Sequence, residues 1–408
     1  MLKLAAIGLG GRLSGMVRTL LELEPEVRLG AVADPDEPGA RQRMQKHGIP
    51  TDNVRFLPDA EALLADAGGF DGLAIGTRCN LHAPLAVKVA PTGLPLFLEK
   101  PVAVDWAQLE ALHAAYRGKF DSVLVSFPLR TTPVFCAVRE IVDRGRLGTL
   151  NQVQAINNVS YGGVYYAHPY REYDITGGLW LQKATHDFDY LNVLLGRPLF
   201  LAAMMGRTCY GGDMPHELRC SSCDRTATCM ESPENMQTRG DDGGAGKGDH
   251  PCMFGDRIAN QDAGSALIMY DSGVHTSYTQ NFVTRRAGRR GAIITGYGAT
   301  LQFDWYTERM KVTDHHTGRV DDVHCPSQGS HGGGDGVLTR NFAQMMRGEA
   351  VSAAPLDAGL LSAAMCLAAR EAAHSGQYQP VPRIGDRIEK HDIAAGTPVF
   401  TGHQLEPA

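Results

Sequence analysis

Residues 1–34 constrain this chain more than any other stretch. They read as a short apolar strand (Lys3 to Ile7), a glycine turn, a helix over RLSGMVRTLLELEP, and a second apolar strand, EVRLGAVADPD, carrying Asp34 at its end. Strand, glycine turn, helix, strand and acid in that order give weight to a glycine pattern that is weak alone. Gly8 and Gly10 let the backbone turn tightly and approach a pyrophosphate. The helix that follows points its free N–H groups and positive dipole end at the phosphates, so Gly11 and Arg12, at its start, join the candidate cofactor contacts. Leu13 stands where the third small residue of G-x-G-x-x-G belongs, flanked by Gly11 and Gly15, so helix-to-strand packing is expected to be managed differently. A carboxylate at Asp34 can accept hydrogen bonds from both ribose hydroxyls and repels a 2′-phosphate. Pro35 rather than arginine follows it, so NAD is expected in preference to NADP.

The alternation continues. DAEALLADAG reads as helix, FDGLAIGT as strand, NLHAPLAVKVAPTG as helix, LPLFLEKPVA as strand, DWAQLEALHAAYRG as helix and DSVLVSF as strand. This predicts a doubly wound parallel sheet of α/β class, whose ligands bind beyond the carboxyl ends of the strands. Three segments then point at one crevice: Gly8–Gly10, Thr77–His82 with Asn80 between them, and Glu99–Pro101 with Lys100. The chain's 408 residues exceed one compact domain. A nucleotide-binding domain over 1–127 is expected, then a second domain over 128–385, then a tail over 386–408.

Charged residues are 21% and the formal charge is −6, which gives no reason to expect a nucleic-acid partner. The apolar start is too short for a signal sequence, and no stretch is long enough for a membrane span, so a cytoplasmic protein is expected. In the second domain NQVQAINNVSY alternates like a strand. AGSALIMYDSGVHTSYTQNFV reads as two strands around a turn at Asp271-Ser272-Gly273, and RRGAIITGYGATLQFDW and ERMKVTDHHTG extend the meander. Such a sheet leaves one face for another subunit, so a homodimer or homotetramer is expected. His331 heads the glycine run HGGGD; loop structure is the favoured reading, and a place in the pocket with Asp335 is the alternative.

Four of the nine cysteines, Cys220, Cys223, Cys229 and Cys252, fall in a polar insertion at about 213–256. C-x2-C-x5-C with a fourth cysteine delivered by a flexible loop suits a tetrahedral structural Zn²⁺, with an iron–sulfur cluster as the lesser alternative and free thiols as the third.

The segments AIGLGGR, AVADPD, GTRCNLHAPLA, Glu99-Lys100-Pro101, SFPLRTTPVF, Arg146-Leu147-Gly148, HGGGD, and Gly177-Gly178 leading into a helix with His186 and Asp189 carry a likeness. The chain resembles the glucose–fructose oxidoreductase / inositol dehydrogenase (Gfo/Idh/MocA) family along nearly its whole length. The resemblance implies an NAD(P)-dependent oxidoreductase. Its second domain would be α+β with an open, mostly antiparallel sheet, supplying the pocket for a sugar or cyclitol and often the oligomer interface. It also implies a second reading, a glycoside hydrolase that oxidises and re-reduces its sugar; since fold does not prove activity, a nucleotide-sensing regulator that kept the fold without the chemistry is a third.

The residues themselves agree with a proton-transfer site. An unperturbed imidazole such as His186 titrates at about 6.5. Lys100 can hold or polarise a reacting oxygen. Pro101 removes a donor and is a candidate for a cis bond that aims Lys100. Gln182, His186 and Asp189 share one helical face at i, i+4 and i+7. Gln182 replaces the carboxylate usual in the family and is expected to bond a substrate hydroxyl. Lys183 has two directions open: into the pocket, where it lowers the pKa of His186, or outward to Asp187 as a helix-stabilising partner. Tyr161, Tyr165 and Tyr166, with Arg130, are the remaining candidate substrate contacts.

Overall fold

The computed structural model describes residues 1–238 and 248–382. The expected tail over 386–408 lies outside them. The first domain is a six-stranded sheet of β1 (Leu2–Leu9), β2 (Val27–Ala33), β3 (Arg55–Leu57), β4 (Gly72–Gly76), β5 (Leu96–Leu98) and β6 (Val123–Val125), in spatial order β3-β2-β1-β4-β5-β6. Every pairing is parallel. Parallel strands need crossovers that cover both faces, which explains runs such as Gly72–Gly76 that are buried throughout rather than alternating. The order reverses between β1 and β4, and a crevice opens there beyond the carboxyl ends. The helix over Gly11–Leu23 starts on Gly10, directly above it.

The second domain is a nine-stranded sheet: β7 (Leu150–Asn158), β8 (Pro198–Gly206), β9 (Ala263–Tyr270), β10 (His275–Asn281), β11 (Arg289–Gly296), β12 (Ala299–Asp304), β13 (Arg309–Asp314), β14 (Val320–His324) and β15 (Gln379–Pro380). Its order is β14-β13-β12-β11-β7-β10-β9-β8-β15. Only β7 and β10 pair in parallel; the others are antiparallel. The turn between β9 and β10 holds Gly273 at φ +83°, a conformation that favours glycine. The helix over Leu356–Ser375 packs against β8 and the helix over Thr185–Leu195, and also against β6 and the helix over Trp106–Ala115, so it joins the two domains. No helix among the described residues is long and apolar enough to cross a membrane.

The helix that carries His186 begins with a widened turn. Trp180–Ala184 is a π-turn, and regular α-helix follows over Thr185–Leu195. Such turns insert a residue and re-aim the side chains around it. One turn on, Asp187 is completely buried. Its Oδ2 accepts hydrogen bonds from Asn157 on β7 (2.6 Å) and Tyr278 on β10 (2.8 Å), and its Oδ1 pairs with Arg290 on β11 (2.8 Å). The outward Lys183–Asp187 pairing, one of the two directions open to Lys183, is therefore not formed, because Asp187 faces the sheet.

Removing one partner of a buried ion pair leaves the other charge uncompensated. Asp187→Ala is expected to lower the unfolding free energy by about 3–5 kcal/mol. Denaturant titration checks this; a loss under about 1 kcal/mol, as at an exposed pair, would contradict the structural role assigned to Asp187.

Candidate active site

A crevice of about 810 Å³ runs across the carboxyl ends of the first sheet and under the widened turn. Asp34 ends β2 and Glu99 follows β5; with β1 and β4 between them, the strand spacing puts these ends roughly 14 Å apart. A Cβ on Gly8, which has φ +70°, would lie 2.3 Å from the Thr77 side chain, and one on Gly10 would lie 3.0 Å from the Gly76 carbonyl. Bare backbone at both turns makes the cradle that a pyrophosphate needs, so the residues present fit a dinucleotide.

At the β2 end, Asp34 Oδ2 accepts from Leu9 N (3.0 Å) and Oδ1 from Asp36 N (2.9 Å). Arg43 also reaches Asp34 Oδ2 (3.2 Å) while donating to the Leu9 carbonyl (2.6 Å). The sequence reading placed no cation beside Asp34, and Arg43 corrects it. The residue is nine positions away, on the helix over Glu37–His47, where its approach depends on how that helix packs.

Arg12 crosses the crevice instead of resting on the helix surface. It pairs with Glu99 (3.3 Å) and with both oxygens of Asp335 (2.6 and 2.7 Å), and His331 Nδ1 lies 3.0 Å from Asp335. Burial works against the Arg12 charge, but Glu99 and Asp335 overcome it and raise its pKa. Burial likewise pushes Asp335 up, and hydrogen bonds from Arg12 and His331 win, holding it below the usual carboxylate range. His331, read from sequence as loop, lines the crevice. The HGGGD run was the visible signal, but its target, Arg12, is some 320 residues away.

At the β5 end the Lys100–Pro101 peptide is cis. Lys100 Nζ donates to the Gln182 carbonyl (2.8 Å). Burial, then the nearby charge of Lys183, lowers the Lys100 ammonium to about 8. Lys183 takes the first of its two directions: it lines the crevice, donates to Tyr161 Oη, and lies over the Tyr161 ring at 4.6 Å. Burial and then Arg290 lower it to about 7. His186 packs edge-on against Phe127, with Nδ1 buried and without a hydrogen-bond partner. Burial, followed by Lys100, Arg290 and Lys183, pushes its imidazole well below the ordinary value, so the ring is neutral at neutral pH. Tyr165 also lines this end.

Several expected contacts are spent elsewhere. Gln182 lines the crevice; its side-chain nitrogen donates to Cys79 Sγ and the Thr176 carbonyl, both at 3.1 Å, which leaves only its side-chain oxygen for a ligand. Arg130 is paired with buried Asp189 and with the Ala353 carbonyl, and lies outside the crevice lining. Tyr166 is fully buried, donates to the Gln261 carbonyl and stacks on Tyr210 at 4.1 Å, so it is core. Asn80 lies outside the lining, its carbonyl accepting from Gln108. His82 lines the crevice but bridges the Pro101 and Thr77 carbonyls (2.8 and 3.3 Å), which makes it a brace between two strand ends.

The four insertion cysteines line one small cavity of about 20 Å³ with His250. Burial and the other three thiols push Cys220 up to about 11. Yet among the described residues no group of three or more His, Cys, Asp or Glu side chains is arranged to hold a metal ion. The expected tetrahedral Zn²⁺ set, or its iron–sulfur alternative, is therefore not supported by the geometry of the described residues. All nine cysteines are free thiols, and backbone turns hold the segment instead: Cys223 N to Cys220 O, Cys229 N to Arg225 O, and Cys252 N to Leu218 O.

Residues 2–127 match the family described as "Oxidoreductase family, NAD-binding Rossmann fold", and residues 139–382 match "Oxidoreductase family, C-terminal alpha/beta domain". Among curated relatives, an inositol 2-dehydrogenase of Rhizobium meliloti is 28% identical over 186 residues, 46% of this chain and 53% of that protein. A scyllo-inositol 2-dehydrogenase (NAD(+)) of Bacillus subtilis is 26% identical over 205 residues, 50% of this chain and 56% of that protein. The chain thus spans about half the length of these curated relatives. Among solved structures, levoglucosan dehydrogenase in complex with NADH and L-sorbose shares the fold at TM-score 0.74 and 17% identity, over 94% of this chain and 100% of that one. An oxidoreductase domain protein from Kribbella flavida does so at TM-score 0.73 and 17% identity, over 94% and 99%. Two consecutive family matches that together cover most of the sequence, on the two domains seen in the structure, establish that the chain belongs to the Gfo/Idh/MocA oxidoreductase family.

Proposed function

We propose that this protein is an NAD-dependent oxidoreductase that acts on a hydroxyl of a sugar or cyclitol. The observation that carries the reading is the convergence of Lys100, Lys183 and His186 in the same crevice as the Gly8–Gly10 cradle and Asp34. Relatives named for inositol support the substrate class. When bound, the nicotinamide supplies the hydride acceptor or donor. The chain's own residues handle the rest. Lys100, anchored on the Gln182 carbonyl, presents a cation to the reacting oxygen and favours its alkoxide form. His186, kept neutral by burial and by its cationic neighbours, accepts the hydroxyl proton. The uncovered face of the second sheet, where Met204 and Leu267 are exposed, is the surface assigned to a homodimer or homotetramer contact.

A second reading, the redox glycoside hydrolase, is favoured by one observation. Lys183 bonded to Tyr161 adds a proton-handling pair beyond Lys100 and His186, as removal of a C–H proton requires. Aryl glycosides incubated with catalytic NAD separate the two: release of the aglycone without net NADH identifies the hydrolase.

Lys100→Met is expected to reduce turnover at least about 100-fold in a folded protein, measured as NADH formation with inositols and hexoses. Unchanged turnover would remove Lys100 from the mechanism, and no NADH formation by the wild type on any of these substrates would favour the nucleotide sensor. The pH profile of wild-type kcat/KM is expected to fall above about 8, where Lys100 loses its proton. Removing a cation beside Lys100 raises its pKa, so in Lys183→Met this falling limb should move to higher pH; a limb that stays put contradicts the coupling. For cofactor choice, Asp34→Ser removes a like charge and releases Arg43. The NADP/NAD ratio of kcat/KM is expected to rise about tenfold or more, equivalent to about 1.4 kcal/mol; an unchanged ratio would count against Asp34 as the discriminating group.

A further inference from the structure

A second cavity, of about 410 Å³, lies where the Rossmann domain, the segment over 167–175 and the cysteine insertion meet. It shares Arg78 and Ile175 with the main crevice, so the two are neighbours along one wall. Its charges do not balance. Arg78, Arg171 and Arg219 line it against Glu172 and Asp249. Arg219 is matched by Asp249 at 2.5 Å. Arg171 is 3% exposed and stands 3.9 Å from Glu172, too far for a hydrogen bond. Its Nε and Nη1 have no hydrogen-bond partner, while Nη2 is engaged by His216. Glu172 is shared, since His216 Nε2 lies 3.0 Å from the same oxygen. The Arg78 guanidinium is exposed and makes no hydrogen bond or ion pair among the described residues. The cavity therefore holds one unmatched arginine and one under-satisfied buried arginine, with His168 as a further polar group on the wall.

A buried guanidinium with idle N–H groups is costly unless something completes it, and arginine pairs best with the planar or tetrahedral oxygens of carboxylate or phosphate. We propose that this cavity is a subsite for an anionic group, carboxylate or phosphate, carried on the substrate whose hydroxyl occupies the main crevice. The cysteine insertion, which supplies Arg219, Asp249, His250 and Pro251 to the wall, is then a specificity element that selects acidic over neutral sugars. The inference deepens the oxidoreductase reading and rests on it for the attachment of the anion to a reacting sugar.

Binding separates the two claims, because it needs no turnover. Glucose, glucuronate and glucose 6-phosphate are titrated by calorimetry into the full chain saturated with NAD, for wild type, Arg78→Gln and Arg171→Gln. Wild type is expected to bind one or both anionic probes about tenfold more tightly than glucose, the worth of a hydrogen-bonded charge pair. Either variant should remove that preference. The carboxylate and phosphate arms identify which anion fits. Equal affinity for all three sugars, or a preference that survives Arg78→Gln, overturns the subsite; Arg78 is exposed, so this variant does not depend on a buried substitution. NADH formation measured on the same probes then addresses the underlying reading: tight anion binding without turnover of any probe leaves the subsite and removes the oxidoreductase activity on these sugars.

Discussion

The Asp187 carboxylate holds the active-site helix to the second sheet, and much of the crevice follows from it. Its oxygens are taken by Asn157, Tyr278 and Arg290, which come from three different strands. With that carboxylate turned to the sheet, no carboxylate of the helix bonds Lys183, and Asp187 acts on it only through space. Lys183 turns to the Tyr161 hydroxyl instead, and its charge is felt by both Lys100 and His186. Lys100 and Lys183 in one buried pocket, with their charge only partly offset by Glu99 and Asp187, are well suited to stabilising an oxygen that becomes negative during reaction.

The first domain was legible because its signals are local. Apolar runs, glycine turns and the acid at the end of β2 all lie within a few residues of one another, and the period alone separates strand from helix. The second domain's meander was legible for the same reason, including the turn at Gly273. The contacts that sequence missed join distant positions. Arg130 was a plausible substrate ligand until Asp189 claimed it, and Tyr166 was a plausible sugar platform until its hydroxyl found Gln261. Arg43 beside Asp34 and His331 beside Arg12 are further examples. The widened turn at Trp180–Ala184 was hidden for a different reason: a single inserted residue does not change the apolar pattern enough to be seen. It matters because Gln182 and Lys183, adjacent in sequence, both line the crevice.

The cysteine insertion shows that a ligand-like spacing can gather thiols without the geometry of a metal site among the described residues. The four thiols do gather round one cavity, as a ligand set would, but backbone turns shape the segment and the thiols are left free. What the segment contributes in the described structure is wall, not metal. Its charged residues line a cavity beside the main crevice, next to the tyrosine-rich segment that carries Arg171.

The Arg12–Asp335 pair links the first helix of the nucleotide-binding domain to a residue more than 300 positions later, with Glu99 and His331 on its flanks. Such a joint makes the two domains a matched set. A chimaera that grafts this nucleotide-binding domain onto a second domain with no carboxylate at this place would hold a half-buried arginine with its principal partner missing. Domain exchange within the family therefore carries a compatibility rule written in these two residues, and recombination that respects it would have to move them together.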